Sequence, residues 1–155
     1  MRKLLLILML LYFFIPVLAG KKEDDPYGKT TASYLRQQQW FKSGFNTYKP
    51  DKALLKKLGK ELPKYDFLVF AGTWCPDTRL LLPQFYKVVN KAGVPMEKPD
   101  TYLLNGELSS PEGLEKEYNI YAVPTIILLN NGKEVGRITE SITSSMEEEL
   151  LTLLK

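Results

Sequence analysis

The sequence predicts an α/β domain with a mixed central sheet and helices on both faces. Short apolar runs of strand length alternate along the chain with segments whose apolar residues recur at helical spacing. Two of the strand-like runs flank Asn130-Asn131-Gly132, a strong signal for an antiparallel hairpin. Alternating strands and helices that end in a hairpin indicate a mixed sheet rather than a purely parallel one.

The first 26 residues are predicted to lie outside the folded domain. Two basic residues near the start precede an almost entirely apolar segment, residues 4–19, that ends in small side chains. This pattern predicts a secretory signal peptide over residues 1–19, and the polar residues 20–26 are predicted to be a linker. A membrane anchor stays open as the alternative, although this segment is shorter than the ~20 apolar residues that a spanning helix needs.

Residues 27–155 are predicted to form a single thiol-containing domain of an exported, periplasmic or extracellular protein. Without residues 1–19 the chain loses two basic residues and no acid, so its formal net charge falls from +3 to +1. A near-neutral chain gives no electrostatic case for nucleic-acid binding. The chain has no histidine, which excludes histidine triads and histidine metal sites, and we expect neither a metal nor another cofactor.

The domain begins with an aromatic-rich segment, residues 27–48, which has no clear periodicity. We predict a partly helical segment that packs on the domain and buries its aromatic side chains; an aromatic lid or partner surface is the alternative. A helix with Asp51 as its N-cap follows and ends at Pro63. Its lysines at positions 52, 56 and 60 predict a solvated face, and a membrane-surface or polyanion site is the alternative.

The central elements are two strand-helix pairs. A buried strand is predicted over residues 67–71, and the helix after it is predicted to kink at Pro83 and to end at Gly93. A second strand is predicted over residues 101–104, with a short helix that begins at residues 109–111.

The last elements are the hairpin and a helix. The hairpin strands are predicted over residues 124–129 and 133–138. Ser145 is predicted to open the C-terminal helix, with the glutamates 147–149 in its first turn, where the helix dipole favours them.

The one cysteine, Cys75, lies at the predicted junction between the first of these strands and its helix. Unpaired backbone N–H groups and the positive end of the helix converge there, an arrangement that stabilises a thiolate. Pro76 suits the first helical turn because it lacks an N–H that would have no helical partner. A lone cysteine cannot form an internal disulfide, so its thiol is either buried and inert or present for its chemistry.

Neighbouring side chains are expected to tune this thiol. Arg79, four residues further along the helix, is predicted to add positive potential near the sulfur, and Asp77 to act against it. The Thr78 hydroxyl is placed to donate a hydrogen bond to the thiolate. The sum of these effects stays open at the level of sequence.

Three features at matching places resemble the thioredoxin family. They are Trp74-Cys75-Pro76 after a buried strand, Pro83 inside the following helix, and Val123-Pro124-Thr125 before the hairpin. The resemblance covers roughly residues 51–155, so that residues 27–50 form an N-terminal extension. It implies the thioredoxin fold and, with the signal-like start, a likeness to exported bacterial thioredoxin-like proteins.

The resemblance also implies how the site is built. Val123-Pro124 should be a cis peptide bond that lies against Cys75, and such bonds are essentially confined to X-Pro sequences. Val123, Pro124 and Thr125 should bind substrate, with the backbone of Val123 pairing with an extended substrate segment. Trp74 belongs to the same active-site motif.

Two departures from the family pattern concern the chemistry. Thioredoxins carry a second cysteine three residues after the first, and this chain has Thr78 there, which gives a monothiol CxxT motif. Many also carry a buried aspartate in the preceding strand that assists proton transfer, and the matching position is Val69.

The leading hypothesis is therefore a monothiol protein that forms mixed disulfides through Cys75, in thiol-disulfide exchange or isomerisation with protein or small-molecule thiols and disulfides. A redox-inactive binding or scaffolding protein is the main alternative, and a redox sensor that uses reversible oxidation of Cys75 is another. A disulfide-linked dimer through Cys75 is also open. A membrane is expected as a partner only if the signal segment is not cleaved.

Overall fold

The computed structural model describes residues 26–154, so the predicted signal peptide and nearly all of the linker lie outside the described residues. The described chain forms five strands, six α-helices and a short 3-10 turn over Leu62–Lys64. The strands are β1 (Gly28–Thr30), β2 (Asp66–Ala71), β3 (Asp100–Leu103), β4 (Thr125–Asn130) and β5 (Lys133–Thr139). The helices are α1 (Ala32–Gln37), α2 (Gln39–Thr47), α3 (Lys52–Glu61), α4 (Pro76–Lys91), α5 (Leu114–Glu117) and α6 (Met146–Leu153).

The five strands form one mixed sheet in the order β1-β3-β2-β4-β5. β2 and β3 are parallel, and the other neighbouring pairs are antiparallel. The hairpin prediction is confirmed: β4 and β5 are joined through Asn131 and Gly132, both in the left-handed region with φ of 51° and 75°. Two consecutive left-handed residues are what a tight hairpin turn of this hand requires.

Side chains from the two faces of the sheet pack into two separate apolar cores. Successive residues of a strand point to opposite faces, so Phe67 and Val69 of β2 lie in one core while Leu68 and Phe70 lie in the other. We call them the helix-packed core and the site-facing core. The helix-packed core contains residues from every helix except α5. The site-facing core is smaller, contains Cys75 and is flanked by Leu114 of α5.

The N-terminal segment is partly helical, as predicted, but it also supplies an unpredicted edge strand. β1 pairs with β3 antiparallel, and the Lys29 N–H donates to the Glu112 carboxylate at 2.9 Å. The burial prediction holds for Phe41, which is fully buried, and is wrong for Tyr27, which is 54% exposed. Tyr27 immediately precedes the edge strand, where no element covers it.

Local sequence signals give the ends of α3 and α6. The Asp51 carboxylate accepts from the backbone N–H groups of Ala53 and Leu54 at 2.8 and 2.9 Å, which confirms it as the N-cap. Lys52, Lys56 and Lys60 are all exposed. Ser145 caps α6 and forms a reciprocal capping box with Glu148.

One of the three glutamates at the start of α6 is buried rather than solvated. Glu147 accepts hydrogen bonds from the Tyr48 hydroxyl at 2.5 Å and from the Asp51 N–H at 2.7 Å. Burial and the hydrogen bond to Glu147 raise the pKa of Tyr48 far above its usual range, so the hydroxyl keeps its proton and donates. This junction ties the end of α2 to α6.

Two helix predictions concern α4 and α5. α4 is unbroken over its length, with Pro83 inside it. The predicted start of α5 at residues 109–111 is wrong, because the helix begins at Leu114. Gly113 has a left-handed φ of 70° and donates to Ser110 O, so a separate turn precedes the helix.

Candidate thiol site

Cys75 sits where β2 passes into α4. It is the N-cap residue of α4, with an extended backbone (φ −82°, ψ 125°), and Pro76 is the first helical residue. The Cys75 N–H donates to Gly72 O at 3.0 Å, which closes a tight turn between strand and helix. The side chain is a free thiol, only 6% exposed, at the N-terminal end of a 16-residue helix.

The thiol lies against the loop that precedes β4. Cys75 Sγ donates to Val123 O at 3.2 Å, and the Val123-Pro124 peptide bond is cis, as the resemblance implies. Thr125 begins β4 and its hydroxyl donates to Ala122 O at 2.8 Å. Residues 48 positions apart in the chain meet because β4 is the neighbour of β2 in the sheet. The sulfur carries its proton in this hydrogen bond.

An aromatic side chain borders the thiol. Trp74 is 38% exposed, and its indole N–H donates to Leu104 O at 3.0 Å. Its ring lies directly over Gly72, so closely that a Cβ at that position would be 2.7 Å from a ring carbon. Tyr121, two residues before Val123, is 74% exposed. The sequence gives no local signal for it, because it is an isolated aromatic outside any periodic pattern.

Thr78 and Arg79 hold the loop before Cys75. Thr78 is fully buried, and its hydroxyl oxygen accepts from the Gly72 N–H at 3.2 Å. Arg79 Nε donates to Thr73 O at 2.6 Å. The sequence predicts both side chains near the sulfur; in the structure their hydrogen bonds go instead to the backbone of residues 72 and 73. Asp77 is exposed and forms no ion pair within residues 26–154.

Val69 occupies the strand position at which many thioredoxins carry a buried aspartate, so no acidic side chain lies there. The Val69 side chain is fully buried in the helix-packed core, on the opposite face of the sheet from Cys75. The nearest unpredicted polar group along the chain is Thr73, which is 6% exposed and whose hydroxyl has no hydrogen-bond partner among the described residues.

The described residues contain no group of three or more acidic, cysteine or histidine side chains that could hold a metal ion. Over the same range, no helix is long and apolar enough to cross a membrane.

Comparison with known proteins decides the family. The thioredoxin family model matches residues 53–152, well over half of the chain. The chain belongs to the thioredoxin family. The match begins within α3, so β1, α1 and α2 lie outside it.

Individual relatives are distant. Thioredoxin H2 of Arabidopsis thaliana is 26% identical over 94 residues, which cover 61% of this chain and 66% of that protein. A thioredoxin H-type of Picea mariana is 24% identical, and the aligned region covers 62% of its length. Both shares are below two thirds. Thioredoxin of Gallus gallus is 23% identical over 103 residues, covering 66% of this chain and 90% of the relative.

The fold similarity extends further along the chain than the family model. The crystal structure of a Pseudomonas aeruginosa protein of unknown function, PA1234, matches with a TM-score of 0.54 and 15% identity, covering 82% of this chain and 80% of that one. At this level of identity the match shows the fold alone, and the thioredoxin fold predicted from the sequence is confirmed.

Proposed function

We propose that this protein is an exported monothiol thioredoxin-like protein that forms mixed disulfides through Cys75. The supporting observation is the position of the thiol at the N-cap of α4, 3.2 Å from Val123 O. A thiol at a helix N-terminus is a typical setting for a reactive cysteine. The half-exposed Trp74 borders the same spot.

The reaction begins with loss of the thiol proton and of the hydrogen bond to Val123 O. The Cys75 thiolate attacks one sulfur of a substrate disulfide; a new S–S bond forms to Cys75 and the substrate S–S bond breaks. The other substrate sulfur leaves as a thiolate and takes up a proton from solvent. One thiol and one disulfide enter the step, and one thiol and one mixed disulfide leave it.

Release of the product needs a thiol from outside the site. Cys75 is the only cysteine of the chain, and Thr78 occupies the position from which a second thiol would attack. The mixed disulfide is therefore resolved by another thiol of the substrate, which gives isomerisation, or by a small thiol, which gives transfer. Net reduction of a disulfide by this protein alone is not expected.

The loop before β4 is the proposed docking point for a substrate segment. Val123 O is held by the thiol, whereas the Val123 N–H has no hydrogen-bond partner within residues 26–154. An extended strand of substrate can accept from this N–H and gain the carbonyl once Cys75 is deprotonated. The proposed partners are proteins or small molecules that carry thiols or disulfides.

A second candidate is a binding protein without turnover. The 6% exposure of Cys75 and its hydrogen bond to Val123 O favour it, because the sulfur is almost fully covered and its proton is already engaged. Val69 and Thr78, at the positions of the family's acid and second cysteine, point the same way. In this account the groove binds an extended segment and Cys75 has no covalent role.

Covalent trapping separates the two candidates. The chain is incubated with a protein carrying an accessible disulfide, quenched with acid and analysed by mass spectrometry without reductant. The exchange function predicts an adduct that is absent from Cys75→Ser and is released by added thiol. The binding function predicts no adduct and equal affinity of the parent and Cys75→Ser for the partner. A species of twice the chain mass that disappears in Cys75→Ser would identify a disulfide-linked dimer.

Export is part of the proposal and rests on the apolar segment at residues 4–19 with its cationic start. Mass determination of the protein from its native cells tests it. A chain that begins near Gly20 supports export with cleavage, and a chain that keeps residues 1–19 and sediments with membranes supports the anchored alternative. A full-length chain in the soluble cell fraction would contradict both.

A further inference from the structure

A pocket of about 250 Å³ lies between α2 and α4 and shares Arg79 with the thiol site. One wall comes from α2 and the residue after it, in the N-terminal segment, and the other from α4, the helix that Cys75 caps. Its lining residues are Gly44, Thr47, Tyr48, Arg79, Leu80 and Gln84. The pocket thus exists only because α2 packs along α4, where Gly44 lies against Pro83.

Arg79 gives the pocket its charge and its geometry. A guanidinium carries five N–H donors in a rigid plane. One of them, on Nε, is fixed to Thr73 O at 2.6 Å, which sets the orientation of the plane. The two terminal Nη groups have no partner within the described residues. Two parallel donors held in this way match the two oxygens of a carboxylate.

None of the other residues that line the pocket pairs with the Nη groups of Arg79. The hydroxyls of Thr47 and Tyr48 are engaged, with Ser43 O at 2.9 Å and with Glu147 at 2.5 Å. Glu147, the acid behind Tyr48, is itself buried and hydrogen-bonded. Gln84 adds an uncommitted amide, and Leu80, 58% exposed, adds an apolar wall.

Arg79 is the one charged residue among those that line the pocket. No acidic side chain lines it. Asp77, two residues before Arg79, is exposed and unpaired within the described range, and Lys87, two turns further along α4, lies over the Phe45 ring at 4.7 Å. A single positive charge in a small concave site, with no paired acid, favours a small anion over a neutral or cationic group.

We propose that this pocket binds the carboxylate of a low-molecular-weight disulfide while Cys75 attacks its sulfur. The proposal rests on the exchange function above and names its substrate class. The Arg79 N–H donates to Cys75 O at 3.1 Å, so Arg79 is one helical turn from the nucleophile. A carboxylate a few bonds from a sulfur atom spans that gap, and the pocket volume suits a group the size of one amino acid rather than a peptide strand.

The chemical step is the exchange already described, with a carboxylate-bearing disulfide as the second reactant. The Cys75 thiolate forms an S–S bond to one half of the disulfide, and the other half leaves as a thiolate that is then protonated. No external oxidant or reductant is needed. Arg79 holds the carboxylate and does not take part in electron or proton transfer.

Three disulfides of different charge test the proposal. Adduct formation is timed with dithiodiglycolate, hydroxyethyl disulfide and cystamine, which are anionic, neutral and cationic. Each rate is divided by the rate of the same chain unfolded in urea, which removes intrinsic reactivity differences. At low ionic strength we expect the normalised rate for dithiodiglycolate to exceed that for hydroxyethyl disulfide by about five- to tenfold.

Variants then assign the preference. Arg79→Gln should abolish the anionic-to-neutral ratio, and Arg79→Lys, which keeps the charge but not the fork, should retain less than half of it. Lys87→Gln removes one positive charge from the same helix outside the pocket and should leave the ratio unchanged within about twofold. Gln84→Leu, which leaves Arg79 in place, should lower the ratio, and this variant decides the matter if Arg79→Gln does not fold.

The outcomes separate this proposal from the one on which it depends. Adducts with all three disulfides at equal normalised rates would overturn the carboxylate site and leave exchange intact. A preference that survives Arg79→Gln, or that Lys87→Gln removes equally, would also overturn it. The absence of any adduct would contradict the exchange function and this substrate class together.

Discussion

The two cores of this protein differ in how completely they are covered. The helix-packed core is closed by five helices and contains most of the large, fully buried side chains. Among residues 26–154, the site-facing core is covered by the four-residue α5 and its flanking loops, and it contains the thiol. One face of the sheet therefore carries the larger apolar core, and the other carries the thiol.

The two thioredoxin groups that this chain lacks are the buried aspartate, replaced by Val69, and the second cysteine, replaced by Thr78. Val69 points into the helix-packed core, where an aliphatic side chain needs no hydrogen-bond partner and burial of an ionised acid would be costly. Thr78 is buried at the start of α4 and binds the Gly72 N–H. Both side chains are fully buried, so each fills its position.

The largest expected effect is a loss of stability from a change in the helix-packed core. Phe41 of α2 is fully buried and contacts the rings of Phe45 and Tyr86. Phe41→Ala should lower the free energy of unfolding by about 3–5 kcal/mol, because it removes a large buried ring and leaves a cavity. Denaturant unfolding measures this.

The matched variant on the open side is Tyr121→Ala. Tyr121 is 74% exposed, so the change in unfolding free energy should stay within about 0.5 kcal/mol. Similar losses of unfolding free energy for the two variants would mean that the N-terminal segment is not an integral part of the helix-packed core.

The second prediction restores the missing thiol. Thr78→Cys should form an internal disulfide with Cys75 and raise disulfide-reducing activity roughly a hundredfold over the parent, because an intramolecular thiol acts at a high effective concentration. Turnover of a disulfide substrate in the presence of a small-thiol reductant measures it. Thr78→Ser keeps the hydroxyl that accepts from Gly72 and should show no gain. A folded Thr78→Cys chain without activity would mean that the site lacks more than one cysteine.

The third prediction concerns the hydrogen bond between Tyr48, at the end of α2, and Glu147 of α6. Tyr48→Phe leaves the buried Glu147 with only the Asp51 N–H as donor, which should cost about 1–3 kcal/mol in unfolding free energy. Tyr65→Phe is the control, because its hydroxyl has no hydrogen bond within the described residues, and it should cost under about 0.5 kcal/mol. Equal costs would contradict a structural role for the Tyr48 hydroxyl.

The smallest expected effect is pH-dependent. Glu149 accepts from the Thr143 N–H at 2.9 Å and from its hydroxyl at 3.0 Å, and the backbone hydrogen bond chiefly lowers the pKa of Glu149. A lowered carboxyl pKa contributes stability above the ordinary value, and that stability is lost as pH falls through the lowered one. Glu149→Gln should therefore cost about 1 kcal/mol at neutral pH, and this cost should disappear as pH falls through the lowered pKa of Glu149. A pH-independent difference in unfolding free energy would contradict this account.

The features that the sequence predicts correctly are those with local causes. The Asn131-Gly132 turn, the Asp51 cap and the Ser145 cap each depend on residues within four positions of one another. The cis bond at Val123-Pro124 followed from family resemblance, since spacing alone does not distinguish the isomers.

The features that the sequence misses depend on distant contacts. β1 has only three residues and is an edge strand because β3 lies beside it, with Glu112 accepting from an N–H 83 positions away. The destination of the Arg79 side chain depends on the loop conformation that leaves Thr73 O unpaired by other backbone groups. Helical spacing places Arg79 near the thiol and does not choose its acceptor.

The rate of mixed-disulfide formation at Cys75 in the folded chain, compared with the unfolded chain, tests the central claim most directly. Both are mixed with hydroxyethyl disulfide at neutral pH and the adduct is timed by mass spectrometry, so that one sulfur serves as its own reference. If the position at the N-cap of α4 activates the thiol, the folded chain reacts faster than the unfolded chain. A folded chain that reacts more slowly, or not at all, would mean that burial and the bond to Val123 O keep Cys75 inert, and would contradict the exchange function.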